Sequence, residues 1–261
     1  MIRAVIFDID GTLVDSVDLH AEAWQEAFAH FGHRFDFSAI RAQIGKGGDQ
    51  LMPVFLSKDE LEVRGEEIEQ YRGELFKRRY FPQVRAFPRV REFVERVEAN
   101  GQRIALASSA KKDELAAYKK IAGIEDLVEQ ESSSDDAEKS KPHPDIFAAA
   151  LDRLGDIPAE EAVAIGDTPY DAEAAGKLKL RTIGVLCGGF PAEDLRRAGC
   201  IAIYRDLAEM LAGFDRSPLA REAPGRGSAR KPSFPMMLAC GAVAAAAAGL
   251  VAATLASRRG G

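Results

Sequence analysis

Apolar positions along this chain alternate between two rhythms. Ala4-Val5-Ile6-Phe7, Arg103-Ile104-Ala105-Leu106-Ala107 and Ala162-Val163-Ala164-Ile165 are short runs of apolar, often branched or aromatic residues, which predict buried strands. Thr182 to Leu186 and Cys200 to Tyr204 read the same way. Between them the apolar spacing is helical. Leu19, Ala23, Trp24, Ala27, Phe28 and Phe31 predict a helix over 17–32 that stops at Gly32. Val90, Phe93, Val94 and Val97 make a second helical face ending at Asn100-Gly101. Leu115, Tyr118 and Ile121 make a third, ending at Gly123. Ile146, Phe147, Ala150, Leu151 and Leu154 make a fourth, started by Pro142 and Pro144. Further helices are expected over 172–178 and 206–213. The polar stretch from Glu129 to Ser140 reads as a surface loop after a short strand.

Strands that alternate with helices predict a parallel sheet covered on both faces. The expected fold is therefore α/β, a doubly wound, Rossmann-like core over residues 1–15 and 86–214. Residues 33–85 show no strong strand. Ser38 is a candidate cap for a short helix, and Ser57 with Glu60 has capping-box spacing for a longer one. Residues 16–85 thus read as an inserted α-helical cap domain.

The tail changes rhythm again. Residues 215–235 are rich in Arg, Pro, Gly and Ser and read as a flexible basic linker. Residues 236–256 carry no charge, and about 21 residues at ~1.5 Å rise reach ~31 Å, near the ~30 Å of a bilayer core. A C-terminal transmembrane anchor is expected there, with the domain before it cytoplasmic, because more basic residues precede the run than follow it.

The chain has 261 residues, 46% hydrophobic and 29% charged, which fits a globular protein. Its net charge of −6 gives no electrostatic reason to expect a nucleic-acid partner. Cys187, Cys200 and Cys240 are scattered and odd in number, so neither a zinc site nor a disulfide framework is expected. The N-terminus has no signal-peptide pattern. His30 and His33 read as helix-end histidines in solvent.

Candidate chemistry gathers at three strand ends. Asp8 and Asp10 follow the first strand, Ser108 follows the second, and Asp167 with Asp171 follows the third; Lys141 comes from a proline-flanked turn. Parallel strands bring such ends to one edge of the sheet, where ligands bind in open α/β folds. Clustered carboxylates repel unless a cation or shared proton relieves them. Mg²⁺ takes a few carboxylates plus phosphate oxygens and water, while a lysine and a hydroxyl suit the other phosphate oxygens. A carboxylate beside the metal can attack phosphorus and form an aspartyl-phosphate.

These four motifs, in this order over about residues 1–214, resemble the haloacid dehalogenase-like superfamily, in the subgroup with a helical cap after the first strand. The likeness is nearest to beta-phosphoglucomutase and phosphoglycolate phosphatase-type enzymes, through Ile104 to Ser108, Ser140 to Phe147, and His20 near Trp24. The resemblance implies Asp8 as nucleophile and Asp10 as general acid/base. It implies Mg²⁺ held by the Asp8 and Asp167 carboxylates and the Asp10 carbonyl, with Asp171 orienting the site. Thr12, Ser108, Ser109 and Lys141 would bind phosphate, and His20, Lys46 and Gly47 would bear on substrate choice. Where the mutase presents a serine and an asparagine to a second phosphate, this chain has Ala110 and Lys112. The expectation is accordingly a monomeric Mg²⁺-dependent phosphatase of a small phosphorylated metabolite. A mutase, or a catalytically idle protein tethered to a membrane, are the rivals. The intact set of Asp8, Asp10, Ser108, Lys141 and Asp167 argues against idleness.

Overall fold

A computed structural model describes residues 1–128 and 130–220. The linker expected over 221–235 and the anchor expected over 236–256 lie outside the described residues. Among the described residues no helix is long and apolar enough to cross a membrane.

The chain begins with β1 (Ala4–Phe7), whose four residues are all fully buried. A turn leads to β2 (Val14–Asp15) and then the helices α1 (Val17–His30), α2 (Phe37–Arg41), α3 (Gly48–Leu51) and α4 (Lys58–Leu75). A π turn over Phe76–Tyr80 prolongs α4. The short β3 (Arg85–Ala86) pairs antiparallel with β2, so the helical excursion leaves and re-enters through one two-stranded ribbon. Then follow α5 (Val90–Ala99), β4 (Arg103–Ala107), α6 (Lys112–Ala122), β5 (Gln130–Ser132), α7 (Asp145–Leu154) and β6 (Ala162–Gly166). The chain continues with α8 (Pro169–Gly176), β7 (Arg181–Val185), α9 (Ala192–Ala198), β8 (Ala202–Tyr204) and α10 (Leu207–Ala212).

Six strands form one parallel sheet in the order β5-β4-β1-β6-β7-β8. The chain builds outward from β1 on one side, returns, and builds outward on the other. The carboxyl end of β1 therefore sits where the strand order reverses, the place such sheets offer to ligands. Period-two alternation divides the strand residues between two faces. Val5 and Phe7 pack with Phe93, Leu106, Val163 and Ile165 on one face. Ala4 and Ile6 pack with Ala105, Phe147, Ala150 and Ala164 on the other, where small residues let α7 and α8 lie close. The inserted helices keep a core of their own, with Trp24, Phe28, Ile40, Leu51 and Ile68 at its centre.

Several details depart from the sequence reading. Gln130–Ser132, read within a loop, is an edge strand that pairs only with β4. Helix α9 went unread, because AEDLRRA buries only Leu195. Asp36, not Ser38, precedes α2, and α8 starts at Pro169 rather than 172. His33 is not a solvent histidine: its Nε2 lies 2.6 Å from Glu60 Oε1. Residues 215–220, read as the start of the linker, stay on the core. Leu219 is buried, and its carbonyl accepts from the Asn100 and Gln102 side-chain amides, both at 3.0 Å.

Candidate active site

Asp8 extends β1 by one ladder step, its N–H donating to the Ile165 carbonyl at 2.9 Å. Asp10 lies two residues further, on the turn, and Gly11 makes that turn. It adopts φ +83°, and a Cβ there would lie 2.3 Å from Asp167 Oδ2. The Ile9 carbonyl then accepts from the N–H groups of Thr12, Leu13 and Val14, which fixes the loop.

The strand ends of β1 and β6 and the Lys141 turn converge. Lys141 is buried; its Nζ donates to Asp8 Oδ1 and pairs with Asp171 Oδ1 at 2.8 Å. Burial alone would lower the lysine's pKa, but Asp171 and Asp8 together outweigh it and hold the ammonium protonated. Burial pushes the Asp8 carboxyl up to about 7, with Lys141 opposing and Asp171 adding to the rise. Asp167 is pushed well above its ordinary value, by burial first and then by Asp8 and Asp171. The Thr12 hydroxyl lies 3.3 Å from both Asp8 Oδ2 and Asp167 Oδ1.

Asp171 has two tasks. Its Oδ2 accepts from the Thr168 N–H at 3.0 Å and the Thr168 hydroxyl at 2.7 Å, closing a capping box at the start of α8. Its other oxygen faces Lys141.

Asp10 is held apart from this cluster. Its Oδ1 accepts from Ser16 Oγ at 2.6 Å and lies 3.0 Å from His20 Nε2, which also lies 3.2 Å from the Tyr118 hydroxyl. Phe76 stacks on the His20 ring at 3.9 Å. Burial pushes the Asp10 carboxyl up, but His20 and Ser16 outweigh it and hold it below its ordinary value.

The donor set fits a hard divalent cation. Carboxylate oxygens of Asp8, Asp167 and Asp171 lie within 4.8 Å of one another, all on buried residues. Asp167 Oδ2 is sealed from solvent and has no hydrogen-bond partner. Gly11 and Gly188 crowd that oxygen, and a Cβ on Gly188 would lie 1.7 Å from it. An unanswered buried carboxylate oxygen is costly, and a cation answers it.

Asp8, Asp10, His20, Lys46, Gly47, Ser109 and Lys141 line one cavity of about 710 Å³. Ser108 is buried, and its Oγ accepts from the Ala110 N–H at 3.1 Å. Lys46 donates to Gln43 Oε1 at 2.6 Å and lies 4.6 Å from the Tyr170 ring centroid. The whole loop from Gly45 to Asp49 borders the cavity. It touches the Lys141 turn, where Asp49 Oδ2 accepts from the Ser140 N–H at 3.2 Å. Sequence reasoning missed Arg72 and Tyr118, which reach the site only through helix packing. It also missed Gly188, although a Gly188-Gly189 pair just beyond a predicted strand was a readable sign.

Comparison with known proteins identifies the family. Residues 2–178 match the haloacid dehalogenase-like hydrolase family model. The chain belongs to that family. Among curated relatives, a phosphoglycolate phosphatase from Yersinia pestis is 33% identical over 80% of this chain and 92% of its own. A phosphorylated carbohydrates phosphatase from Thermotoga maritima is 27% identical over 78% of this chain and 94% of its own. Among solved structures, a hydrolase from Pseudomonas syringae superposes with a TM-score of 0.73 at 28% identity, covering 82% of this chain and 98% of its own. Family membership and these relatives support a phosphatase enzyme.

Proposed function

We propose that the chain is a Mg²⁺-dependent phosphatase of small organic phosphate monoesters, working through an aspartyl-phosphate on Asp8. The observation that carries this reading is the Asp8 environment. One buried ammonium fixes its Oδ1, one hydroxyl lies at its Oδ2, and a sealed, unanswered carboxylate oxygen of Asp167 stands beside it. Such a site needs a cation to balance its carboxylates, and that cation together with Lys141 then attracts phosphoryl oxygens.

Asp8 Oδ attacks phosphorus as the bond from phosphorus to the ester oxygen breaks, and Asp10 gives its proton to the departing alkoxide. A water then attacks the phosphorus of the aspartyl-phosphate and gives its proton to Asp10, releasing inorganic phosphate and the Asp8 carboxylate. Here His20 and Ser16 hold Asp10 ionised. The His20 contact therefore has to loosen, and Asp10 to take up a proton from solvent, before it serves as the acid. Lys141, Ser108 and Ser109 hold the phosphoryl oxygens, and Lys141 keeps Asp8 in line. The carboxylates of Asp8 and Asp167, the Asp10 carbonyl and Asp171 would hold Mg²⁺. When bound, it supplies positive charge against the phosphoryl oxygens. The cap over residues 16–85, with His20, Lys46 and Gly47 on the cavity, selects the substrate and shields the reacting groups from bulk solvent while the hydrolytic water is used.

The test is phosphate release by the full chain from sugar, glycolyl and nucleotide monophosphates, with Mg²⁺ and with chelator, beside Asp8→Asn. We expect metal-dependent release that falls by about 10³-fold or more in the variant. Release that survives the substitution would sink the mechanism. Interconversion of a sugar phosphate that needs a bisphosphate activator would identify a mutase instead.

A further inference from the structure

Tyr118 lies on α6, is 1% exposed, and packs in the apolar cluster that holds Phe7, Phe93 and Leu115. The Phe81 ring lies against its own, centroids 5.2 Å apart. A phenylalanine would fill the same space, so packing does not account for the hydroxyl. A tyrosine hydroxyl carried into a core usually finds a hydrogen-bond partner. Here that partner is His20 Nε2, at 3.2 Å.

The imidazole of His20 is held in place. Phe76 stacks on it, the ring centroids 3.9 Å and the planes 10° apart, and the side chain is only 13% exposed. Its Nε2 faces two oxygens, Asp10 Oδ1 at 3.0 Å and the Tyr118 hydroxyl at 3.2 Å. An ionised carboxylate only accepts, so Nε2 carries a hydrogen. One hydrogen then serves two oxygens, and the charged one takes the larger share. The Tyr118 oxygen is a second acceptor within reach of the same N–H, with no rotation of the stacked ring. Asp10 cannot stay on His20 throughout the reaction, because its carboxyl has to reach the ester oxygen. Ser16, the other donor to Oδ1, can turn its hydroxyl hydrogen elsewhere; the stacked imidazole cannot turn its N–H. A largely enclosed donor left without an acceptor would oppose the departure of Asp10.

We propose that Tyr118 is a positioning residue for the general acid: its hydroxyl oxygen takes over the His20 N–H when Asp10 turns to the substrate, and so frees Asp10 for proton transfer. This rests on the phosphatase reading. Tyr118 touches neither the phosphoryl group nor the leaving group and acts through His20 alone. Only a hydrogen bond changes partner, and the proton given to the alkoxide is still the one on Asp10.

The experiment removes the hydroxyl alone, with Tyr118→Phe in the full chain and Mg²⁺ present. It compares kcat/KM for glucose 6-phosphate and 2-hydroxyethyl phosphate, whose alkoxides need a proton to leave, with that for p-nitrophenyl phosphate, whose phenolate leaves without one. This quantity reads the steps up to formation of the aspartyl-phosphate. We expect it to fall about 10- to 100-fold for the two alkyl esters and about twofold or less for the p-nitrophenyl ester. A purely structural role lowers all three alike. That outcome, no change in any of them, or a rise for the alkyl esters overturns the proposal. A second measurement needs no turnover. In Asp10→Ala the carboxylate is gone, and the His20 Nε2 proton, followed by NMR with isotope-labelled histidine, should remain slow to exchange with water. Adding Tyr118→Phe should speed that exchange about tenfold or more. Equal exchange in the single and double variants overturns the proposal. If the native chain releases phosphate from none of the three esters, the phosphatase reading falls, and the exchange rates still decide whether Tyr118 takes the His20 N–H.

Discussion

At the scale of single residues, Asp167 poses the sharpest electrostatic problem. It is buried beside Asp8 and Asp171, and its Oδ2 is sealed from solvent with no donor facing it. Burial and those two charges raise its pKa, and burial raises that of Asp8 to about 7. A carboxyl whose folded pKa is raised binds more protons folded than unfolded. Its favourable contribution is present below the ordinary carboxylate value near 3.8 and is lost as pH rises through the raised value. In chelator, Asp167→Asn is therefore expected to be more stable than the native chain. The margin should grow as pH rises from about 4 to neutral and reach about 1–2 kcal/mol, roughly 2–8 °C in Tm for a chain of this size. Adding Mg²⁺ should raise the native Tm at neutral pH and leave the variant nearly unmoved. A variant less stable than the native chain in chelator across that range would refute the account. Asp8, Asp10, Lys141 and Asp167 were legible in the sequence because each sits at a strand end or a proline-flanked turn, where the residue type has little structural reason to be charged. Arg72 was not legible. In a helix as charged as α4 it looks like any solvated arginine, and its contact with Trp24 of α1 exists only after folding.

At the scale of elements, α4 depends on its start. Of its 18 residues only Gly65, Ile68 and Leu75 are buried, so packing supplies less to it than to α5, which buries Val90, Phe93, Val94 and Val97. Ser57 caps it, its Oγ accepting from the Glu60 N–H at 3.3 Å. The capping box read from Ser57 and Glu60 is half realised, because the Glu60 carboxylate turns instead to His33 at the far end of α1. Ser57→Ala should cost about 1 kcal/mol, a fall of roughly 2–4 °C in Tm. An unchanged Tm would show that the His33 contact and the packing of Ile68 hold the helix without the cap. Long amphipathic or fully buried elements such as β1, β4, β6 and α5 were plain from apolar spacing. Short elements held by a neighbour were not. Strand β5 is polar and gets its form from pairing with β4, and α9 offers one buried leucine to pattern reading.

At the scale of the whole described molecule, the sequence located the chemistry on strand ends but could not order the strands. That β4 and β6 both neighbour β1 is a result of tertiary pairing, and it sets Ser108 and Asp167 on either side of Asp8. Beyond the β2–β3 ribbon, the inserted segment makes polar contacts with the rest through His20 on Asp10 and Tyr118, through Lys77 on Asp113 and Glu114, and through the segment 41–49. Arg41 Nη2 donates to the Gly188 carbonyl at 3.0 Å, the Tyr170 hydroxyl donates to the Ala42 carbonyl at 2.6 Å, and Asp49 accepts from Ser140 N–H. Each joins the segment 41–49 to a loop or helix end beside the buried carboxylate cluster. A lid that opens for substrate has to break such contacts together while the ribbon bends. Hydrogen exchange on the full chain tests this directly. Without ligand, amides at 14–18, 41–49 and 83–88 should exchange well ahead of those in β1 and β6. With Mg²⁺ and vanadate, a phosphate analogue, they should slow by about tenfold or more while β1 and β6 do not change. Equal rates with and without the analogue would mean that the helices are a fixed wall of the cavity, and that substrate enters without any lid motion.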